Sequence, residues 1–165
     1  MCRKTLTLRT FRIEDQQRVL DMLTDTAVNQ TYMLPDFEKK EDALPLFHRL
    51  RALSLDGSHF VRCIALNDKA IGFLNDVEIR DGSIELGYVI HPDSQGQGHM
   101  TNALKTAISE LFESGYSMVI CGAFEHNTAS MRVMEKSGMC RIEKQDQIEY
   151  RGKTHNCVYY MKRNG

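Results

Sequence analysis

The chain has 165 residues with a formal net charge of −1, 42% hydrophobic and 26% charged residues. That length fits one domain, expected over residues 1–165, with a core large enough to need no staples. The near-neutral charge argues against nucleic-acid binding or a polybasic membrane contact, and no apolar run approaches the ~20 residues of a membrane span.

The expected elements run as follows. Thr5–Thr10 alternates as a strand, and Glu14–Leu23 carries Val19, Leu20 and Leu23 at helical spacing. Residues 26–39 have no clean period and contain Pro35, reading as a loop or broken helix. A second helix is expected over Glu41–Leu55, with Pro45 tolerated near its first turn. Strands follow at His59–Ala65 and Ala70–Ile79, and Asp81-Gly82 signals a hairpin into a strand over Ser83–Ile90. His91-Pro92-Asp93 stops that strand, since proline cannot continue the ladder. A helix over Thr101–Glu113 leads to a strand at Met118–Phe124 and a helix from Asn127 to a glycine stop at Gly138. Arg141–Tyr150 and His155–Lys162 form a last hairpin about Arg151-Gly152. The order β-α-α-β-β-β-α-β-α-β-β describes a mixed α/β sheet. The strands at Ser83 and Met118, joined by one helix, should run parallel.

The most informative stretch is SIELGYVIHPDSQGQGHM, from Ser83 to Met100. Gln95-Gly96-Gln97-Gly98 joins a strand to a helix, and its two glycines let backbone amides approach a ligand without Cβ interference. Orphan amides and the positive end of the helix dipole make such a junction an anion site. No Lys-Ser/Thr pair follows as in a P-loop, and no third glycine completes the dinucleotide fingerprint.

Gln95-x-x-Gly98-x-Met100 resembles the acetyl-CoA pyrophosphate loop of the GNAT N-acetyltransferase superfamily, whose pattern is Gln/Arg-x-x-Gly-x-Gly/Ala. Asn127-Thr128-Ala129-Ser130-Met131-Arg132-Val133-Met134-Glu135-Lys136-Ser137-Gly138-Met139 resembles its second cofactor-side helix. The wording is closest to the RimJ/RimL branch, which acetylates N-termini of ribosomal proteins, and the likeness runs from Leu6-Thr7-Leu8-Arg9 to Tyr159-Tyr160-Met161. Met100 departs from the small residue of the pattern.

The resemblance implies the GNAT fold, with the strands at Ser83 and Met118 splayed around the pantetheine arm. It implies acetyl-CoA as co-substrate, Val89 and Ile90 pairing with pantetheine amides, and Gln95, Gly96, Gly98, His99, Met100 and Thr101 around the pyrophosphate. Asn127 would cap its helix and meet the pantetheine, with a plain helix cap as the alternative.

Amide formation from a thioester requires a neutral amine, a stabilised oxyanion and a protonated thiolate. Glu85 is the first candidate base and Glu149, in a segment resembling the substrate-side region of RimL, the second; either can equally be a solvated strand residue. Many GNAT enzymes carry a tyrosine seven residues after the asparagine. Here that position is Met134, and Ser130 is the group matched in the RimL branch as the acid, with a plain helix-start serine as the alternative. The Ile90 N–H or a neighbour would meet the oxyanion. His91 and His99 read as structural or phosphate-contact residues, and Tyr32, Met33 and Phe37 as walls of the acceptor pocket or as packing.

The six histidines show no metal-ligand spacing, so no metal is expected. The five cysteines form no CxxC pair, which implies reduced thiols, a cytoplasmic protein and no covalent acyl carrier. The expected activity is direct acetyl transfer to a primary amine, most simply a peptide N-terminus with a small first residue. Such a peptide would meet Asp36, Glu38, Asp146 and Glu149. A small-molecule amine acceptor (polyamine, amino acid or aminoglycoside) and a non-catalytic CoA-binding module are the alternatives. A monomer or a homodimer is expected.

Overall fold

The structure, a computed structural model, describes residues 3–165. Seven strands are hydrogen-bonded in the order β1-β2-β3-β4-β5-β7-β6: β1 Leu6–Arg9, β2 Val61–Leu66, β3 Lys69–Arg80, β4 Ser83–Ile90, β5 Met118–Phe124, β6 Cys140–Tyr150 and β7 Lys153–Arg163. The helices are α1 Gln16–Leu23, α2 Thr26–Thr31, α3 Leu44–Ser54, α4 His99–Glu113 and α5 Thr128–Lys136. β4 and β5 pair parallel and the other recorded pairs are antiparallel, so the expected mixed α/β sheet is what forms.

The differences from expectation are local. α1 and α3 are each entered through a 3-10 turn, at Ile13–Asp15 and Lys40–Ala43, where Asp15 and Asp42 accept from the backbone N–H of Arg12 and Lys39. The aperiodic stretch contains the six-residue α2, whose first turn is held by the Asp25 carboxylate accepting from Val28 N–H at 3.0 Å. α4 starts two residues before its expected Thr101, at His99.

The chain forms two compact units, in each of which three separate elements, β3, β4 and α4, take part with one of their ends. The first comprises the residues up to Asn75 together with Tyr88–Ala103. Its core gathers Val19, Met22 and Leu23 of α1, Phe47 of α3, Cys63 of β2, Phe73 of β3 and Val89 of β4. Phe11 stands edge-on to Phe47, ring centroids 6.3 Å apart. Beneath β1, Arg9 and Asp15 form a bidentate pair at 2.8 and 2.9 Å, with side chains 13% and 6% exposed. Gly72 is required by its position: a Cβ there would overlap the carbonyl oxygen of Val89 and come within 3.2 Å of Ile90 Cα.

The second unit comprises Asp76–Gly87 and Leu104–Gly165. One sheet face carries the buried Ile84, Leu86, Val119, Cys121, Val158 and Tyr160, and the Tyr160 hydroxyl reaches Glu135 of α5 at 3.1 Å. Side chains of paired residues share a face. The register Glu85↔Ile120, Ile120↔Met161, Gly122↔Tyr159 and Asp146↔Cys157 therefore puts Glu85, Tyr159 and Asp146 together on the opposite face. No described helix is long and apolar enough to cross a membrane.

Candidate active site

In the first unit, the end of β4 runs into a 3-10 turn, Pro92–Ser94, then the glycine loop, then α4. Val89 is buried and Ile90 half-buried. His91 N–H is committed to Ile71 O at 2.6 Å, which leaves it out as an oxyanion donor. Asp93 is the hub of the turn. It takes two bonds from Arg18 of α1, at 2.8 and 3.2 Å, and accepts Ser94 Oγ at 2.8 Å. Its N–H donates to His91 Nδ1 at 3.2 Å, and its carbonyl accepts Gln97 Nε2 at 3.2 Å. Arg18 also donates from Nε to Ala70 O at 2.9 Å, fixing the turn to β3. The Arg18 guanidinium, aided by Ser94 and opposed by burial, holds the Asp93 carboxyl far below the usual range. The carboxylate is thus matched by a cation and does not face an incoming anion as a bare negative charge.

Gly96 and Gly98 have φ of +71° and +80°, and a Cβ on either would meet nothing within 4 Å. The loop is exposed, and the Gln95 and Gln97 side chains donate back to Ile90 O and Asp93 O at 3.4 and 3.2 Å. The first helical bond of α4 runs from Asn102 N–H to Gly98 O at 3.1 Å, so the amides of His99, Met100 and Thr101 precede the ladder. Met100 is buried and anchors the first turn, while His99 Nε2 is buried without a hydrogen-bond partner among the described residues. An open glycine loop at the start of a 15-residue helix, with three amides ahead of its ladder, fits a pyrophosphate. Gly98→Val, which forces a β-branched residue into positive φ, is expected to weaken acetyl-CoA binding at least tenfold, read by calorimetric titration. The thermal midpoint should fall only by a few degrees, because the added side chain meets open space.

In the second unit, the Asn127 side chain accepts from Ser130 N–H at 3.1 Å and caps α5. Ser130 is half-buried, one turn into the helix. Met134, seven residues after Asn127, is fully buried. Glu85 is half-buried, and burial pushes its carboxyl above the ordinary range; Lys144 opposes that shift, while Glu78 and Asp146 add to it. Glu149 pairs in register with Thr154, is exposed and lies on the other face of the β6–β7 hairpin from Asp146. The two candidate bases therefore do not share a sheet face.

Tyr159 was not among the expected site residues. Its ring lies over Gly122, whose missing side chain leaves the room, and its hydroxyl donates to Asp146 at 2.8 Å. Lys144 Nζ sits 4.4 Å from the ring centroid. Burial, then the bond to Asp146 and the charge of Glu85, keep the phenol protonated and a donor. The alternation Cys157-Tyr159-Met161 on β7 carries this signal only once the register with Gly122 is known.

Three of the thiols, those of Cys63, Cys121 and Cys157, are not activated. Cys63 is pushed up to about 12, first by burial, and burial likewise raises Cys121 and Cys157. Cys140 is exposed, and Cys2 lies outside the described residues. Among the described residues, no three His, Cys, Asp or Glu side chains form a group that could hold a metal.

Residues 5–140 match the family model described as acetyltransferase (GNAT) domain. No curated protein sequence matches. Among solved structures, a GNAT-family acetyltransferase from Bacillus anthracis superposes with a TM-score of 0.83 at 21% identity, covering 99% of this chain and 96% of the other. RimL, a ribosomal L7/L12 α-N-protein acetyltransferase in complex with coenzyme A, gives 0.84 at 20% identity, over 96% and 94%. The microcin C7 self-immunity acetyltransferase MccE, with acetyl-CoA and AMP, gives 0.83 at 18%, over 96% and 92%.

Proposed function

This chain belongs to the GNAT acetyltransferase family, and we propose that it acts as one N-acetyltransferase domain over residues 1–165 that acetylates the free α-amine of a protein or peptide N-terminus, of the ribosomal-protein kind. The carrying observation is the glycine loop opening α4, held in shape by Asp93 and Arg18. Val89 and Ile90 bind the pantetheine arm, Gln95, Gly96, Gly98, His99, Met100 and Thr101 the pyrophosphate, and Asn127 the pantetheine from the cap of α5. Acetyl-CoA supplies the activated acyl group.

Glu85 receives the acceptor's proton through water, a task suited to a carboxyl raised above its ordinary range. Glu149 remains the second carboxylate, and its exposure on the other hairpin face places it behind Glu85. Ser130 returns a proton to the thiolate. An α-amine, with pKa ~7.7–8.0 against ~10.4 for lysine, needs little help to lose its proton, which suits a site with a carboxylate base. The similarity to RimL supports the peptide acceptor; the free cysteines among the described residues support a cytoplasmic setting, and the raised thiols of Cys63, Cys121 and Cys157 support transfer without a covalent acyl carrier.

The test is an amine screen read by release of free CoA. Peptides with a free N-terminus should turn over at least tenfold faster than the same peptides N-blocked but carrying lysine. Faster turnover of spermidine or an aminoglycoside would replace this reading by the small-amine one, and CoA binding without any release would leave only a binding module.

A further inference from the structure

The first unit contains a cavity of about 430 Å³, near the lower end of the ~300–1,000 Å³ typical of small-molecule sites. Its walls are apolar: Leu23 from α1, Leu34 and Phe37 from the stretch after α2, Leu46 and Leu50 from α3, and Phe73 from β3. Tyr32 also lines it, but its hydroxyl is spent on Asn75 at 2.7 Å, and burial pushes the phenol up to about 12, so it brings no charge. Met33, 49% exposed, holds an apolar side chain in water at the rim. Two charged side chains take part. The Asp42 carboxylate accepts Lys39 N–H at 3.0 Å, whereas Arg49 is exposed and has no hydrogen-bond or ion partner among the described residues.

Phe73 joins this cavity to the cofactor strand. It follows Gly72, whose Cα faces Val89 O and Ile90 Cα, and it shares a core cluster with Val89. We infer that this cavity receives the bulky apolar side chain of the acceptor, so that the substrate class is an α-amine flanked by a large aliphatic or aromatic group. The inference rests on the transferase reading and specifies its acceptor, and it replaces the small first residue expected from sequence by a large one. Polyamines and aminoglycosides carry ammonium or hydroxyl groups along their whole length. The six apolar walls offer those groups no partners, leaving only the Asp42 carboxylate, which already accepts Lys39 N–H, and burying the remaining groups unpaired is unfavourable. Arg49 separates two sources of the shared chemistry. A free amino acid presents a carboxylate to it, whereas a peptide presents a neutral amide.

The experiment compares kcat/KM for L-leucinamide, L-phenylalaninamide, glycinamide and spermidine on the full chain, and for L-leucine and a leucine-initiated peptide with and without Arg49→Met. The bulky amides should exceed glycinamide by tenfold or more, in line with the ~10–200-fold that apolar side-chain recognition yields. Leu46→Trp should cut that ratio at least tenfold while acetyl-CoA affinity stays within twofold. Should the tryptophan variant not fold, Leu46→Ala should move the preference toward phenylalaninamide. Loss restricted to free leucine in Arg49→Met identifies amino acids as the source, and a silent Arg49→Met with faster peptide turnover identifies N-termini. Glycinamide or spermidine matching the bulky amides, or an unchanged ratio in the Leu46 variants, overturns the assignment. If no amine releases CoA, the transferase reading fails by itself, and the cavity is then decided by methyl NMR of Met33. Shifts saturating with leucinamide but not glycinamide uphold it, and no shift with either rejects it.

Discussion

Replacing Glu85 by glutamine should lower kcat about 100-fold, the usual worth of a positioned general base, with acetyl-CoA affinity little changed. The deficit should shrink as pH rises past the ~8 of an α-amine, since the acceptor then arrives neutral. The direction of the Glu85 shift supplies a second check. Burial first, then the charges of Glu78 and Asp146, raise its carboxyl, so its base form appears later on the way up in pH. Asp146→Asn removes one of those charges and should move the acid limb of kcat/KM to lower pH. Glu149→Gln should leave that limb where it is, and Ser130→Ala should cost less than Glu85→Gln because a thiol of pKa ~8.5 departs passably without an acid. A deficit in Glu85→Gln that is flat with pH would reduce Glu85 to holding the substrate.

Asp15→Asn should destabilise the protein by about 3 kcal/mol, the lower end for breaking a buried ion pair. Its partner Arg9 keeps the carbonyl oxygens of Thr10 and Asp68 but only one carboxylate, that of Asp68, 3.4 Å from Nε and 65% exposed. For Asp15, burial works against ionisation, but the Arg9 hydrogen bonds and the Arg12 N–H outweigh it and hold the carboxyl below the usual range. A depressed carboxyl contributes its stability above the unfolded value of ~3.9 and loses it as pH falls through the folded value. Urea titrations should therefore show the Asp15→Asn deficit constant from neutrality to about pH 4 and vanishing in stronger acid. A deficit that persists below pH 2 would mean that the carboxylate's shape, rather than its charge, matters at this site.

The strands were the most legible elements. β4 and β5 form over the residues expected: β4 carries Ile84, Val89 and Ile90 between Gly82 and His91-Pro92, and β5 opens after Ser117 with Val119 and Ile120. The helix starts were less so. Met100 looks like a loop residue beside Gly98 but is pulled into the core, which winds α4 back to His99. α2 buries only Val28, so no period marks it, and a single cap from Asp25 holds it. The site was readable where its residues are neighbours in sequence, as in the glycine loop. It was hidden where contact depends on register or on distant elements. Asp93 looked like a strand stop, yet its partner Arg18 is 75 positions away. Tyr159 depends on Gly122 opposite it and on a β6–β7 pairing whose register shifts between Arg141 and Gln145.

The strand order leaves β1 and β6 as the outer strands. Open strand edges template aggregation unless they are blunted. β1 is only four residues long. β6 is longer, but it is broken by its irregularity between Arg141 and Gln145 and carries Glu143, Lys144 and Glu149 exposed along it. A foreign strand laid along either edge would meet too few amides or a kinked, charged row. The sheet is thus protected against edge-to-edge polymerisation during folding, and an extended peptide gains no ready ladder there.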